Sequence, residues 1–315
     1  MLAALAALFL ATSVIGVHSQ QTGEEVPTAG ATVGAESNAA AAYTSHLFPS
    51  GEFVPGFFAD PMRPSLYGGV TSTSFDRPSV LARGDRAITL AAIGVGGRFG
   101  LWGLERPAPG GGMDGLRVDL FVATFSQFNI SVREADLLNA DYTVGPSLRV
   151  RRGAWAGRFR FYHQSSHLGD ELLLGAPELE RVSITFEAMD VSLIRRLRVG
   201  PAAVRAYGGG GVITRSDTNL DPGILEWGME LRSAAASLAG LPPRVQPVAA
   251  VHFRSLQLRD WGTTTSVRAG VEIRNASGRR GVRVLGVLTN GYLPFGQFFT
   301  DTELRKAGME LQLIL

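Results

Sequence analysis

Residues 263–275 read TTTSVRAGVEIRN, and their alternation decides the fold class. Thr265, Val267, Ala269, Val271 and Ile273 share one parity, while Ser266, Arg268, Glu272 and Arg274 share the other. A β-strand sends successive side chains to opposite faces, so the segment has one apolar and one polar face. The last stretch, LRKAGMELQLIL (304–315), repeats the pattern: Met309, Leu311, Leu313 and Leu315 oppose Lys306, Glu310 and Gln312. From Leu66 onward comparable segments follow one another, separated by clusters of Gly, Pro, Asn and Asp.

A soluble sandwich also alternates. Three further features select a membrane barrel. The segments have the length that crosses a bilayer as tilted strands. Their connectors alternate short and long. Aromatic residues (Trp102, Tyr142, Trp155, Trp227 and Trp261) gather near segment ends, as an interfacial girdle requires. The predicted strands are 65–75, 86–101, 115–125, 140–151, 154–165, 180–193, 201–212, 224–237, 244–255, 263–275, 281–291 and 304–315. The expectation is an all-β chain forming a transmembrane antiparallel β-barrel of about 12 strands, with both termini periplasmic. Short links (152–153, 194–200, 238–243, 276–280) then fall on the periplasmic side and longer ones (126–139, 166–179, 292–303) outside. The link 102–114 is the exception, being long and periplasmic.

The start of the chain fits export. Leu2 to Val17 carries no charge, and Val17-His18-Ser19 suits a signal peptidase, so residues 1–19 read as a signal peptide cleaved before Gln20. The run is short for a retained anchor. Residues 20–45, rich in Ala, Gly, Thr and Glu without apolar periodicity, read as a flexible leader, and 46–315 as the barrel domain. The 315-residue chain has no cysteine, which excludes disulfides and thiolate metal sites. Its formal net charge of +2 argues against nucleic acid as a partner.

Four blocks resemble the bacterial family called domain of unknown function 1207. They are LFPSGEFVPGFFADPMRP (47–64), EADLLNADYTVGPSLRVRRG (134–153), RFYHQSSHLGDELLL (160–174) and YLPFGQFF (292–299). The resemblance covers about His46 to Leu315 and implies an outer-membrane barrel. It carries over no site residues.

The segment RFYHQSSHLGDE raises the chemical question. His163 and Ser165 share the parity of Phe159 and Phe161, which places both on the lipid-facing side near the outer end of a strand. In the next strand Val182, Ile184 and Phe186 are expected to face lipid. Pairing across the 166–179 loop then brings Glu180, or Glu178 above it, beside His163. A hydroxyl, an imidazole and a carboxylate on one surface can act as nucleophile, base and orienter.

This arrangement is similar to that of the outer-membrane phospholipase A family, which carries His-Gln-Ser on the outer wall of a twelve-stranded barrel. It is also similar to the lipid A deacylases, with their His-x-Ser and glutamate. The resemblance implies Ser165 as nucleophile, His163 as general base and Glu180 or Glu178 as orienter. It departs at Ser166, where those families have Asn, and this concerns the oxyanion surroundings. The competing reading is a polar hairpin top in the headgroup layer, on a non-enzymatic channel or structural barrel.

Other expectations follow. Asp170 and Glu171 are candidates for calcium. His163 and His167 together with them make a weaker transition-metal set, because a strand spreads residues four apart along the chain. Arg117, Arg149, Arg151, Arg158, Arg160 and Arg205 are expected to meet Asp119, Glu187, Glu226 and Glu272 in the lumen, with His252. An arginine row could select solutes in a channel. Glycines 208–211 are expected to relieve crowding in a curved wall. The expected partners are membrane lipids, lipopolysaccharide and the barrel-assembly machinery, with a homodimer also open.

Overall fold

The computed structural model describes residues 42–108, 112–176, 184–233, 244–278, 280–300 and 302–315. The predicted signal peptide lies outside them. Among the described residues thirteen strands form one antiparallel sheet. They are β1 (Thr44–Leu47), β2 (Leu66–Phe75), β3 (Ala87–Pro107), β4 (Met113–Asn129), β5 (Asp136–Arg152), β6 (Trp155–Leu168) and β7 (Ile184–Val199). After them come β8 (Ala202–Ser216), β9 (Gly223–Ser233), β10 (Val245–Leu256), β11 (Thr263–Arg274), β12 (Gly281–Tyr292) and β13 (Glu303–Ile314). Neighbours in sequence pair from β2 to β13, and β13 pairs back with β2, Leu313 opposite Leu66 and Leu304 opposite Phe75. The result is a closed barrel of twelve strands, β2–β13, with β1 as an addition.

Closure pairs each of β2–β13 with two neighbours and leaves no sheet edge around most of the circumference. The two faces are inverted relative to a soluble protein. Val122, Phe161, Leu288, Met309 and Leu311 are among the exposed apolar side chains of the outer wall. Arg149, Asp119, Arg158, Glu226, Glu230 and Glu272 are buried inside. An apolar exterior around a charged interior is the pattern of a barrel whose solvent is lipid.

Several strands run further than their sequence patterns predict. β3 and β4 continue as one hairpin from Leu90 opposite Asn129 to Pro107 opposite Met113. The long periplasmic link expected at 102–114 is therefore mostly strand. A register shift between Gly100 and Trp102 interrupts the alternation there, which hides the continuation from a period-2 reading. In the same way β7 and β8 extend until Val199 faces Ala202.

The largest departure is residues 48–65. From Phe53 to Ser65 this block is largely buried inside the barrel as a plug, in the chain between β1 and β2. Phe57 and Phe58 are fully buried, and Phe57 stacks on Tyr207 with ring centroids 3.5 Å apart. A segment with Pro49, Pro55, Pro61 and Pro64 cannot join a ladder along its length, so its peptide groups need other partners. Lumen side chains supply them. Arg117 donates to Gly51 O at 2.7 Å, Arg149 to Val54 O at 2.9 Å, and Arg205 to Pro55 O at 2.9 Å and Gly56 O at 2.6 Å. Arg268 donates to Ala59 O, and Gln312 to Phe58 O at 3.0 Å, while Phe58 N donates to Glu230 at 2.7 Å.

The same arginines pair with carboxylates: Arg117 with Glu105 at 2.6 Å, Arg205 with Glu230 at 2.7 Å, Arg268 with Glu310 at 2.9 Å, and Arg149 with Asp119. The expected charge-paired lumen is present, with plug carbonyls as additional acceptors. At the loop end, Phe75, Leu81, Leu138, Leu168, Leu172, Leu293 and Leu304 form an apolar cluster over the mouth. Gly296 N, from the loop before β13, donates to both carboxylate oxygens of Asp141 (3.1 and 2.9 Å).

Truncating the plug's central ring tests this packing. Phe57→Ala should lower stability by about 3 kcal/mol or more, as for other buried aromatics. The measurement is denaturant unfolding of the barrel in lipid vesicles. A loss below about 0.5 kcal/mol, the size of an ordinary surface change, would show that the plug does not contribute to barrel stability.

Candidate functional site on the barrel wall

β6 holds an unbroken register against β5, with Val144 opposite His163 and Ser147 opposite Arg160. Its alternation therefore reaches the loop end without a bulge. Trp155, Phe159 and Phe161 point outward, and His163, Ser165 and His167 continue on the same face. Arg158, Tyr162, Gln164 and Ser166 are buried on the other. The predicted outward placement of His163 and Ser165 is what the structure shows.

Ser165 Oγ lies 2.9 Å from His167 Nε2. The two residues are separated by one position along the strand, and the His167 ring meets Tyr142, opposite Ser165 on β5, edge-on at 5.8 Å. The other imidazole of this face, His163, turns toward β7, where Nδ1 is 3.4 Å from Glu187 Oε1. Its ring is 44% exposed and the glutamate 27%, so solvent screens this pair and it contributes little to stability. Arg215 Nε lies 3.9 Å from the second oxygen of Glu187.

Among the described residues the carboxylate beside His163 is Glu187, and its place on the outer wall corrects the sequence reading of β7. Glu187 was expected in the lumen, with Ile184 and Phe186 toward lipid. The structure reverses that parity. Ile184 and Phe186 are each 4% exposed and face inward, where Phe186 meets Tyr162 and Phe299. The loops folded over the mouth make the upper lumen apolar, so apolar side chains point inward there. Glu178, Glu180 and Val182 lie outside the described residues.

Asp170 and Glu171 sit exposed in the first turn of α1 (Asp170–Gly175). Carboxylates are favoured at that position by the helix dipole alone. Among the described residues, the group with metal-ligand spacing is elsewhere: Asp60, Glu226 and His252 in the lumen have candidate ligand atoms within 4.8 Å of one another. His252, expected in the lumen, is 1% exposed there; its Nδ1 is 3.0 Å from the Tyr207 hydroxyl and its Nε2 3.9 Å from Asp60. Glu226 already has Arg158 at 2.5 Å and Ser192 at 2.6 Å. Arginine supplies the positive charge this cluster needs, and we read it as a plug anchor.

Over residues 18–312 the sequence matches the family described as protein of unknown function (DUF1207). The chain belongs to this family. No curated protein matches it in sequence. Among solved structures it is similar to outer membrane phospholipase A from Escherichia coli, at 11% identity and a TM-score of 0.49, covering 79% of this chain and 92% of that one. The calcium-bound phospholipase (OMPLA) dimer of Salmonella typhi gives 12% identity and a TM-score of 0.48, with 81% and 93% covered. LpxR from Salmonella typhimurium gives 12% and 0.36, with 79% and 100% covered. Each is a likeness in barrel architecture and brings no residue role to this chain. The chain is an outer-membrane-type β-barrel of the DUF1207 family.

The reversed parity of β7 is testable in a chain that has no native cysteine. In the folded barrel, Glu187→Cys should react readily with a maleimide and Phe186→Cys only after unfolding. Rapid labelling at 186 with protection at 187 would restore the opposite face.

Proposed function

We propose that this protein is an outer-membrane lipid acyl hydrolase whose site is the Ser165 face of β6 and β7. The observation that carries the reading is the 2.9 Å contact between Ser165 Oγ and His167 Nε2 on the lipid-exposed wall. A hydroxyl and an imidazole at that position meet the acyl esters of phospholipid or lipid A directly. Localisation follows the same reading: export by the signal peptide, insertion by the barrel-assembly machinery, the loop end outward, and lipopolysaccharide among the neighbours.

Ser165 is the nucleophile. His167, within hydrogen-bond distance, is the base, since geometry comes before intrinsic basicity in choosing one. Its Nε2 takes the hydroxyl proton as Oγ bonds to the ester carbonyl carbon, then returns it to the departing alkoxide. Water, activated by the same nitrogen, releases the fatty acid from the acyl-serine. His163, held by Glu187, is the second imidazole of the face and positions the ester beside Ser165. Ser166 is 1% exposed and faces the lumen, so it gives no oxyanion donor to the wall. The filled lumen supports a function on the wall over solute conduction.

The test is acyl release from phospholipid and lipopolysaccharide by the refolded chain, with calcium or with chelator. Ser165→Ala should reduce release by about a thousandfold or more, and His167→Asn comparably, because members of such a unit fail together. Glu187→Gln should leave a measurable rate. Loss in His163→Asn and Glu187→Gln with full activity in His167→Asn would reassign the base to His163. Absence of release by the native chain would remove the hydrolase reading.

A further inference from the structure

The barrel wall is incomplete at one place. β2 is paired with β3 only down to Tyr67 opposite Gly94, and β1 takes up the same edge of β3 only from Leu47 opposite Trp102. Phe48 N adds one bond to Leu101 O at 3.2 Å. Between these points the chain has left the wall to form the plug, so Val95–Gly100 has no strand on that side. On the far side of the notch β13 runs past the start of β2, its last ladder partner being Leu313 opposite Leu66. One strand position is empty there, bordered on the far side by Ile314 and Leu315.

This notch opens through the apolar belt. Val95 and Phe99 (each 57% exposed) rim it on β3, Leu315 (81%) on β13, and Phe48 (63%) below, with the Phe48 and Phe99 rings 5.7 Å apart. A cavity of about 450 Å³ lies behind it. Five arginines line that cavity, and three have carboxylate partners: Arg117 with Glu105, Arg149 with Asp119, and Arg283 with Glu272, which Arg232 and Arg274 share. Arg63 and Arg98 have no carboxylate within 4.0 Å among the described residues. Glu52, open to solvent, is the nearby acid that both of them feel.

The Arg98 guanidinium and the stem of Arg63 meet over Gly56, which leaves room for both. A Cβ at Gly56 would stand 2.5 Å from Arg98 Nη2 and 2.8 Å from Arg63 Cδ. Two cations against one exposed carboxylate leave a net positive pocket at the end of an apolar slot. Arginine forks suit phosphate oxygens, and apolar rims suit hydrocarbon.

We propose that this notch binds an anionic phospholipid from the surrounding bilayer leaflet. Its headgroup phosphate is held by Arg63 and Arg98, and its acyl chains leave through the gap along Phe48, Phe99 and Leu315. The site is at the turn end of the barrel, separate from the Ser165 face, and does not depend on hydrolysis there.

Native mass spectrometry of the full barrel released from nanodiscs tests this. The nanodiscs contain dioleoyl phosphatidylglycerol and the matching phosphatidylcholine. We expect one phosphatidylglycerol retained per barrel, in preference to phosphatidylcholine. Retention should fall by about tenfold or more in R63Q/R98Q, the loss of charge-assisted contacts, and persist in R63K/R98K. Heat-modifiable gel mobility confirms that each variant is folded. Equal retention of the two lipids, or undiminished retention in R63Q/R98Q, overturns the proposal. Complete displacement by inorganic phosphate would make this a soluble-anion pocket and overturn the lipid assignment.

Discussion

The peptide groups of the plug must find partners away from bulk water, and lumen arginines supply many of them. Four of these arginines, Arg117, Arg149, Arg205 and Arg268, each place a rigid fork between a carboxylate on the wall and a carbonyl on the plug. Arg205 illustrates it: its Nη2 lies 2.7 Å from Glu230 and donates to Gly56 O, while its Nη1 donates to Pro55 O. A buried ion pair alone is weak evidence of stability, because desolvation offsets the Coulomb attraction. Here the pairs have a second effect. They present donors to a proline-rich segment that cannot satisfy its own peptide groups. Wall and plug therefore depend on one another, and removing either leaves buried charge or buried carbonyls exposed to an apolar surround.

That dependence explains which parts of the structure are legible in the sequence. Strands whose two faces meet uniform surroundings show it plainly: 265–273 and 309–315 separate lipid from lumen residue by residue, and His252 falls where its parity places it. β7 is different. Residues 184–191 carry apolar side chains on both parities, Ile184, Phe186 and Ala188 against Met189 and Val191. The loops that close the mouth make the upper lumen apolar, and the headgroup zone makes the upper wall polar. Local pattern cannot distinguish the faces once both have changed character. The plug shows no period at all, since an extended chain between prolines has none. Its signal was of another kind: FVPGFF is too apolar for a solvated leader.

The same exchange of character creates the candidate site. Below the level of Phe161 the outer face of β6 is aromatic; above it come His163, Ser165 and His167 in succession. Sequence parity was sufficient to place these side chains outward. It could not choose their partners, which depend on register with β7 and on side-chain rotation. Glu187 reaches His163 because the two are directly opposed, and Thr214 is the extra residue of β8 where the register shifts beside Glu187. The bulge turns that outer edge of the sheet and leaves the Thr214 hydroxyl on the carbonyl of Glu187 at 3.1 Å, fixing the backbone behind the carboxylate.

The plug also has a geometric consequence for the wall. A chain that enters the lumen from between two positions of the sheet must leave one of them vacant over the length it spends inside. Here the vacancy falls on Val95–Gly100, where Gly100 is required because a Cβ would lie 2.4 Å from the Pro49 carbonyl as the plug crosses. An unpaired strand edge in hydrocarbon is costly, since lipid tails cannot hydrogen-bond to it. The cost is reduced when the edge opens onto a polar cavity, and Arg63 and Arg98 make this cavity polar. Wall defect, plug and arginine pair are one arrangement: the first follows from the second, and the third makes it tolerable in a membrane.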